Sequence, residues 1–206
     1  MKFYSYVIPR DYGFAPNPYF DYCTLATCKP RIRQSAQIGD WVAAFGAANT
    51  PYHGKLVILM QIGETMSFDE YWTDRRFHCK RPVFNKGVIH AYGDNIYHHI
   101  GEKWMQEASH HSNVDGSINM LNLIKDTGTD RVLISTKFYY FGNQAVSIPS
   151  QYEVLIKKGR NHIINRDILL VKCFTKYMET HYEKGMQGRP FSRKEGTFAH
   201  YKGEMK

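Results

Sequence analysis

The chain has 206 residues, enough for one ordinary domain or a domain with a small appendage. It carries 27 Lys and Arg against 19 Asp and Glu, a formal charge of +8 at pH 7, and 15% of its residues are aromatic. Scattered glycine and proline with no heptad exclude collagen-like repeats, coiled coil and long disorder, while the charge favours an anionic partner, nucleic acid or nucleotide first.

Residues 3–8 (FYSYVI) alternate rings with polar positions and predict a first strand, stopped by Pro9. Residues 10–22 (RDYGFAPNPYFDY) hold too many prolines and rings for a regular element and predict a loop. A short strand over 22–27 follows, then a turn at Gly39 and Asp40 feeding a strand over 41–45. Residues 55–62 form the longest apolar run, a buried strand well short of the ~18 to 20 residues of a membrane span. Ser67 to Glu70 has capping-box spacing and predicts a helix over 68–74. Residues 88–92 predict a strand, 116–125 a short helix, and 130–141 (DRVLISTKFYYF) the best strand of the chain.

Ser150 to Glu153 repeats the capping-box spacing and predicts a helix over 150–158. Apolar rows at helical spacing predict a longer helix over 167–184, with Gly185 placed to end it. Residues 186–206 read as a weakly ordered basic tail, leaving 1–185 as the domain. Strands early and helices late imply an α+β domain around a partly closed β-barrel. Four cysteines (Cys23, Cys28, Cys79, Cys173) lack C-x-x-C or scaffold spacing and predict reduced, buried thiols of a cytoplasmic protein. The N-terminus lacks the apolar core of a signal peptide.

The loop after Pro9 is the most unusual stretch. Arg10 and Asp11 supply charge, Asn17 an amide, and Tyr12 and Phe14 faces on which a base could stack; packing of the same rings over a barrel edge is the competing reading. Lys29, Arg31 and Arg33 alternate, so on an extended segment they would form one row suited to a phosphate backbone, or a charged edge strand. Arg75, Arg76, Lys80 and Arg81 interleave with rings as on single-strand binding surfaces, or as a solvated face over core rings. Asp94 and Asn95 follow a glycine and could read a base edge, with Tyr97 or Trp41 stacking; an Asx-turn uses the same residues. Arg160 sits in a turn where it could meet phosphate. The histidine spacings match no metal motif, and no metal or cofactor is expected. His110-His111-Ser112 sets a base beside a hydroxyl, which adjacency alone does not make a triad. P-loop, nucleophile-elbow and dinucleotide fingerprints are absent from the sequence.

Several motifs, in order, resemble one family. They are FYSYVIPRDYGFAPNP, T-L-A-T-C-K-P-x-I-R, G-D-W-V-A, M-S-F-D-E-Y-W, R-F-x-C-K-R-P, Y-G-D-N-I-Y and V-L-I-S-x-x-F-Y-Y-F-G. Over roughly residues 2–165 the chain is similar to the nucleotide modification associated domain 2 family of bacterial and phage proteins. That resemblance implies association with DNA base modification or with defence against foreign DNA. A weaker one, to PUA-like domains such as EVE and YTH, rests on Gly39-Asp40-Trp41-Val42 and the strand at 55–62. It implies a PUA-like barrel and an aromatic pocket for a modified base, with no cage residue carried over.

Three functions follow as expectations. The first is recognition of a modified nucleobase or nucleotide, with DNA as partner. The second is an enzyme acting on such a base, with Asp11, Asp94 or His111 as general acid or base. The third is a protein-interaction module of a modification or defence system.

Overall fold

The computed structural model describes residues 1–193 and 197–201. In chain order the elements are β1 (Phe3–Ile8), β2 (Cys23–Leu25), α1 (Pro30–Ser35), β3 (Trp41–Gly46), β4 (Leu56–Gln61), β5 (Glu64–Met66), α2 (Phe68–Thr73), α3 (Val88–Ala91), β6 (Tyr97–Ile100) and β7 (Lys103–Gln106). Then follow α4 (Met120–Thr127), β8 (Val132–Ser135), β9 (Lys137–Tyr140), β10 (His162–Asn165), α5 (Ile168–His181) and β11 (Gly185–Met186). The class is mixed α+β. The chain divides into two units, one of Met1–Asp11, Ser35–Glu64 and Ser135–Ser192, the other of Tyr12–Gln34, Thr65–Ile134 and from Arg193 on.

The first unit is built on a six-stranded sheet, ordered β10-β1-β3-β4-β9-β11. Its edges, β10 and β11, do not pair with each other, so the sheet is open and no closed barrel occurs among the described residues. α5 covers one face. Val171, Phe174 and Met178 fall on one helical stripe and bury against Phe3, Trp41, Leu59 and Tyr139. Phe174 meets Phe3 edge-on at 5.6 Å. Asp167 caps α5 through the Leu170 amide at 3.0 Å.

The second unit holds a three-stranded sheet, β2-β8-β5, and the hairpin β6-β7. Its core packs Phe14, Phe68, Tyr71, Phe77, Tyr92 and Tyr97 together. The box at Ser67 forms as expected, with the Glu70 carboxylate accepting from the Ser67 amide at 2.7 Å.

Four local expectations are corrected. Within 88–92, Val88–Ala91 form the short helix α3, because Gly87 at φ 89° turns the chain before Val88. The run 130–141 breaks after Ser135 into β8 and β9, which join different sheets. Residues 150–155 form a 3-10 turn with no side-chain cap, since Pro149 occupies the capping position. The segment 29–33 is not extended: Pro30 opens α1, a position its fixed φ suits. Of the tail, residues 194–196 and 202–206 lie outside the described residues, while Arg193 and residues 197–201 are described with the second unit.

Candidate active site

The second unit brings a cysteine, a histidine and an aspartate into line. Cys28 Sγ stands 3.8 Å from His111 Nε2, within sulfur hydrogen-bond reach. On the other side of the ring, His111 Nδ1 donates to Asp126 Oδ2 at 2.8 Å.

Each member is fixed by local structure. Cys28 ends the stretch leaving β2, and both Cys28 (φ 59°) and Lys29 (φ 43°) adopt left-handed backbone before α1 begins. Two successive non-glycine residues there cost on the order of 1–3 kcal/mol each. The turn is held from both ends: the Cys28 amide donates to Asp126 Oδ1 at 2.8 Å, and the Cys28 carbonyl accepts from Arg33 Nε at 2.9 Å. α4 carries Asn122 and Asp126 on its inner face, one turn apart. The β6-β7 register sets Tyr97 opposite Gln106. Tyr97 donates to Asp126 Oδ2 at 3.0 Å, and Gln106 reaches both Tyr97 Oη and the His111 carbonyl at 3.1 Å. Asn122 also donates to that carbonyl, at 2.8 Å.

Behind the carboxylate lies Arg33, wholly buried. Its remaining donors go to the carbonyls of Thr129 and Arg131, each at 2.7 Å, and of Asp126. Burial works against charge on His111, but the Asp126 carboxylate and the Cys28 sulfur outweigh it and raise the imidazole to about 10. Burial opposes the Asp126 charge likewise, yet the His111 and Arg33 cations hold its carboxyl below the ordinary value. The pair is therefore imidazolium and carboxylate at neutral pH.

The three donor atoms fall within 4.8 Å of one another, which raises a metal reading. Cys28 and Asp126 address opposite nitrogens of the same ring, so an ion between Sγ and Nε2 would have the carboxylate behind the imidazole rather than as a ligand. A zinc site takes three or four protein ligands. The geometry instead matches a nucleophile, a base and the group that orients the base. Ser112 is not part of it, since its hydroxyl donates to the Ser109 and Asn113 carbonyls.

Several residues singled out in the sequence belong to the same unit as this relay. The Phe14 ring lies 4.7 Å from the His111 ring, and Tyr12 stacks on Tyr92 at 5.5 Å beside His110. Lys29 is half-buried and Arg31 exposed, whereas Arg33 is an internal clamp and not part of a surface row. Asp94 is fully buried, accepting from Thr24 Oγ1 at 2.6 Å and Tyr71 Oη at 2.9 Å; burial pushes it up to about 6. Asn95 is buried too, donating to the Tyr71 and Phe77 carbonyls. Asn17 accepts from the buried ammonium of Lys80 at 2.8 Å. Arg75 and Arg76 are exposed, the latter paired with Asp74, and Arg81 lies 3.7 Å over the Trp72 ring.

The remaining candidates belong to the first unit. Asp11 is buried and accepts from Tyr140 Oη at 2.6 Å. Trp41 is a core residue of β3, and Arg10 and Arg160 are exposed. Sequence reasoning took Cys28 for a buried structural thiol, where it is half-buried, and did not single out Asp126. A cysteine between a short strand and a proline-started helix was the available signal.

Over residues 1–197 the chain matches the family described as nucleotide modification associated domain 2, nearly its whole length, and it belongs to that family. No curated protein and no solved structure is significantly similar to it.

Proposed function

We propose that this member of the nucleotide modification associated domain 2 family is a thiol enzyme of nucleotide modification, with Cys28 as nucleophile, His111 as proton carrier and Asp126 as the group orienting His111. The observation that carries the reading is the continuous line from Cys28 Sγ through the imidazole to Asp126, 3.8 Å and 2.8 Å. The reaction class is acyl transfer. The thiolate adds to a carbonyl carbon, His111 gives its Nε2 proton to the departing amine or alcohol, and a thioester remains on Cys28. Water or an amine then attacks the thioester, giving its proton to His111 Nε2 as the C–S bond breaks, and Cys28 leaves as the thiolate beside the restored imidazolium.

The family's tie to nucleotide modification supports a modified nucleobase or nucleotide as the species made or consumed. Tyr12, half-buried beside His110, is the ring suited to hold a base there. A working thiol of this kind suits a reducing compartment such as the cytoplasm.

The test is thiol-directed labelling. Iodoacetamide should modify Cys28 at neutral pH, and His111→Gln should slow that labelling by roughly 10²-fold or more, the usual scale of a lost acid–base partner. Equal labelling of the two proteins would refute the assignment. Recognition of a modified base without chemistry predicts instead that Cys28→Ala leaves binding to modified oligonucleotides intact and that no turnover exists to lose.

A further inference from the structure

Residues 197–201 lie against the wall that carries His111. Backbone hydrogen bonds hold them there. The Ala199 amide donates to Tyr92 Oη at 2.9 Å, and the Ala199 carbonyl accepts from His110 Nδ1. The Tyr201 amide donates to the His110 carbonyl at 2.6 Å, and the Tyr201 carbonyl accepts from Asn122 Nδ2 at 2.9 Å. Residues two apart thus turn both their N–H and C=O to the same wall, the pattern of an extended chain added along an edge. The rings finish the contact: Phe198 packs on Tyr92 at 4.8 Å, and Tyr201 stands 5.3 Å from the His111 ring.

A substrate whose leaving group takes a proton from His111 must touch Nε2. His111 is only 3% exposed, so something beside it must move. Phe14 and Asp126 sit in the core of the unit. Tyr201 belongs to the segment 197–201, whose backbone contacts another chain of the same chemistry could replace.

We infer that Tyr92, His110 and Asn122 form a groove that reads an extended peptide backbone beside Cys28, and that residues 197–201 fill this groove as an internal competitor. The inference deepens the proposed thiol chemistry, on which its consequence for Cys28 rests, by naming a peptide-like chain as carrier of the acyl group.

The test uses the full chain. Ala199→Pro with Tyr201→Pro removes both donated amides while leaving an extended backbone allowed. Phe198→Ala is a milder second variant that loosens the segment through its ring. Cys28 alkylation is followed by mass spectrometry, with exposed Cys173 as internal reference. Either variant should label Cys28 faster relative to Cys173, roughly tenfold for the double variant, the effect of two net hydrogen bonds. A synthetic peptide of residues 197–201 should restore protection, and the same peptide N-methylated at its Ala and Tyr amides should not. An unchanged Cys28 rate in both variants overturns the inference, as does equal protection by the methylated peptide. Failure of the thiol chemistry shows separately, as Cys28 labelling that ignores His111→Gln, while fluorescence anisotropy of the labelled peptide still reads the groove.

Discussion

Asp126→Asn is the sharpest perturbation of the relay, because it changes charge and hydrogen bonding with almost no change in shape. The side chain accepts from the Cys28 amide, from His111 and from Tyr97, and faces the Arg33 cation. An amide can keep the Cys28 bond, but its nitrogen then meets His111 Nδ1 and Tyr97 Oη as a donor. The imidazole must move its proton to Nε2, where it points at Sγ. The raising of His111 from 6.5 to about 10, at about 1.36 kcal/mol per tenfold in proton affinity, bounds the loss near 5 kcal/mol. Breaking one partner of a buried pair costs about 3–5 kcal/mol, in agreement. A raised histidine contributes stability that is complete below 6.5 and lost as pH climbs through about 10. A depressed carboxyl contributes stability that is complete above 3.8 and lost as pH falls through its lower folded value. The gap between wild type and variant is therefore widest from about pH 4 to 6.5 and narrows towards pH 10. Urea unfolding at both ends of that range measures it. A gap under about 1 kcal/mol in the acid window, or one equal at both ends, would refute the reasoning.

Other substitutions test separate parts of the account. Arg33→Met strands the carbonyls of Cys28, Thr129, Arg131 and Asp126 and should lower stability by at least about 3 kcal/mol, read as a fall in denaturation midpoint. Cys28→Gly should be more stable than Cys28→Ala by about 1 kcal/mol, since both lack Sγ and only glycine relieves the φ of 59°; the opposite order would show the turn is not strained. Asp94 rises from 3.8 to about 6, so the native state holds its proton longer and stability falls across that interval by about 3 kcal/mol. Asp94→Asn should abolish that fall in a pH series of thermal melts. Gly93→Ala places a Cβ 2.2 Å from the Lys80 carbonyl and should cost about 2 kcal/mol or more in the same assay.

What could be read in the sequence was what local chemistry decides. The box at Ser67, the stripe of α5 and the strands β1, β3 and β4 each follow from residues a few positions apart. The split of 130–141 could not be read, because the apolar pattern runs on through Thr136 while the two halves pair in different sheets. The relay failed for a similar reason. Cys28, His111 and Asp126 are joined across 83 and 15 positions, and no local pattern marks such contacts. Only His111 was singled out, for its loop, as one of three alternatives beside Asp11 and Asp94. Asp11 instead bonds Tyr140 in the first unit, and Asp94 bonds Thr24 and Tyr71 within the core.

The net charge, which in the sequence pointed outward to an anionic partner, nucleic acid or nucleotide, has part of its explanation inside. Arg33 and Lys80 are wholly buried cations that bind carbonyl oxygens. Lys80 fastens the loop around Asn17 and Tyr22, so the most unusual stretch of sequence is shaped by an ammonium beneath it. At the thiol the same economy of charge has a chemical use. Burial pushes the Lys29 ammonium down, the adjoining Cys28 sulfur draws it back up, and Lys125 adds a like charge. Cys28 therefore stands among Lys29, the His111 imidazolium and, through its carbonyl, Arg33. Cations so placed favour negative charge gathering on a carbonyl oxygen as it is attacked. A polyanion would need its positive charge spread over an exposed face, whereas the proposed nucleophilic sulfur needs it here.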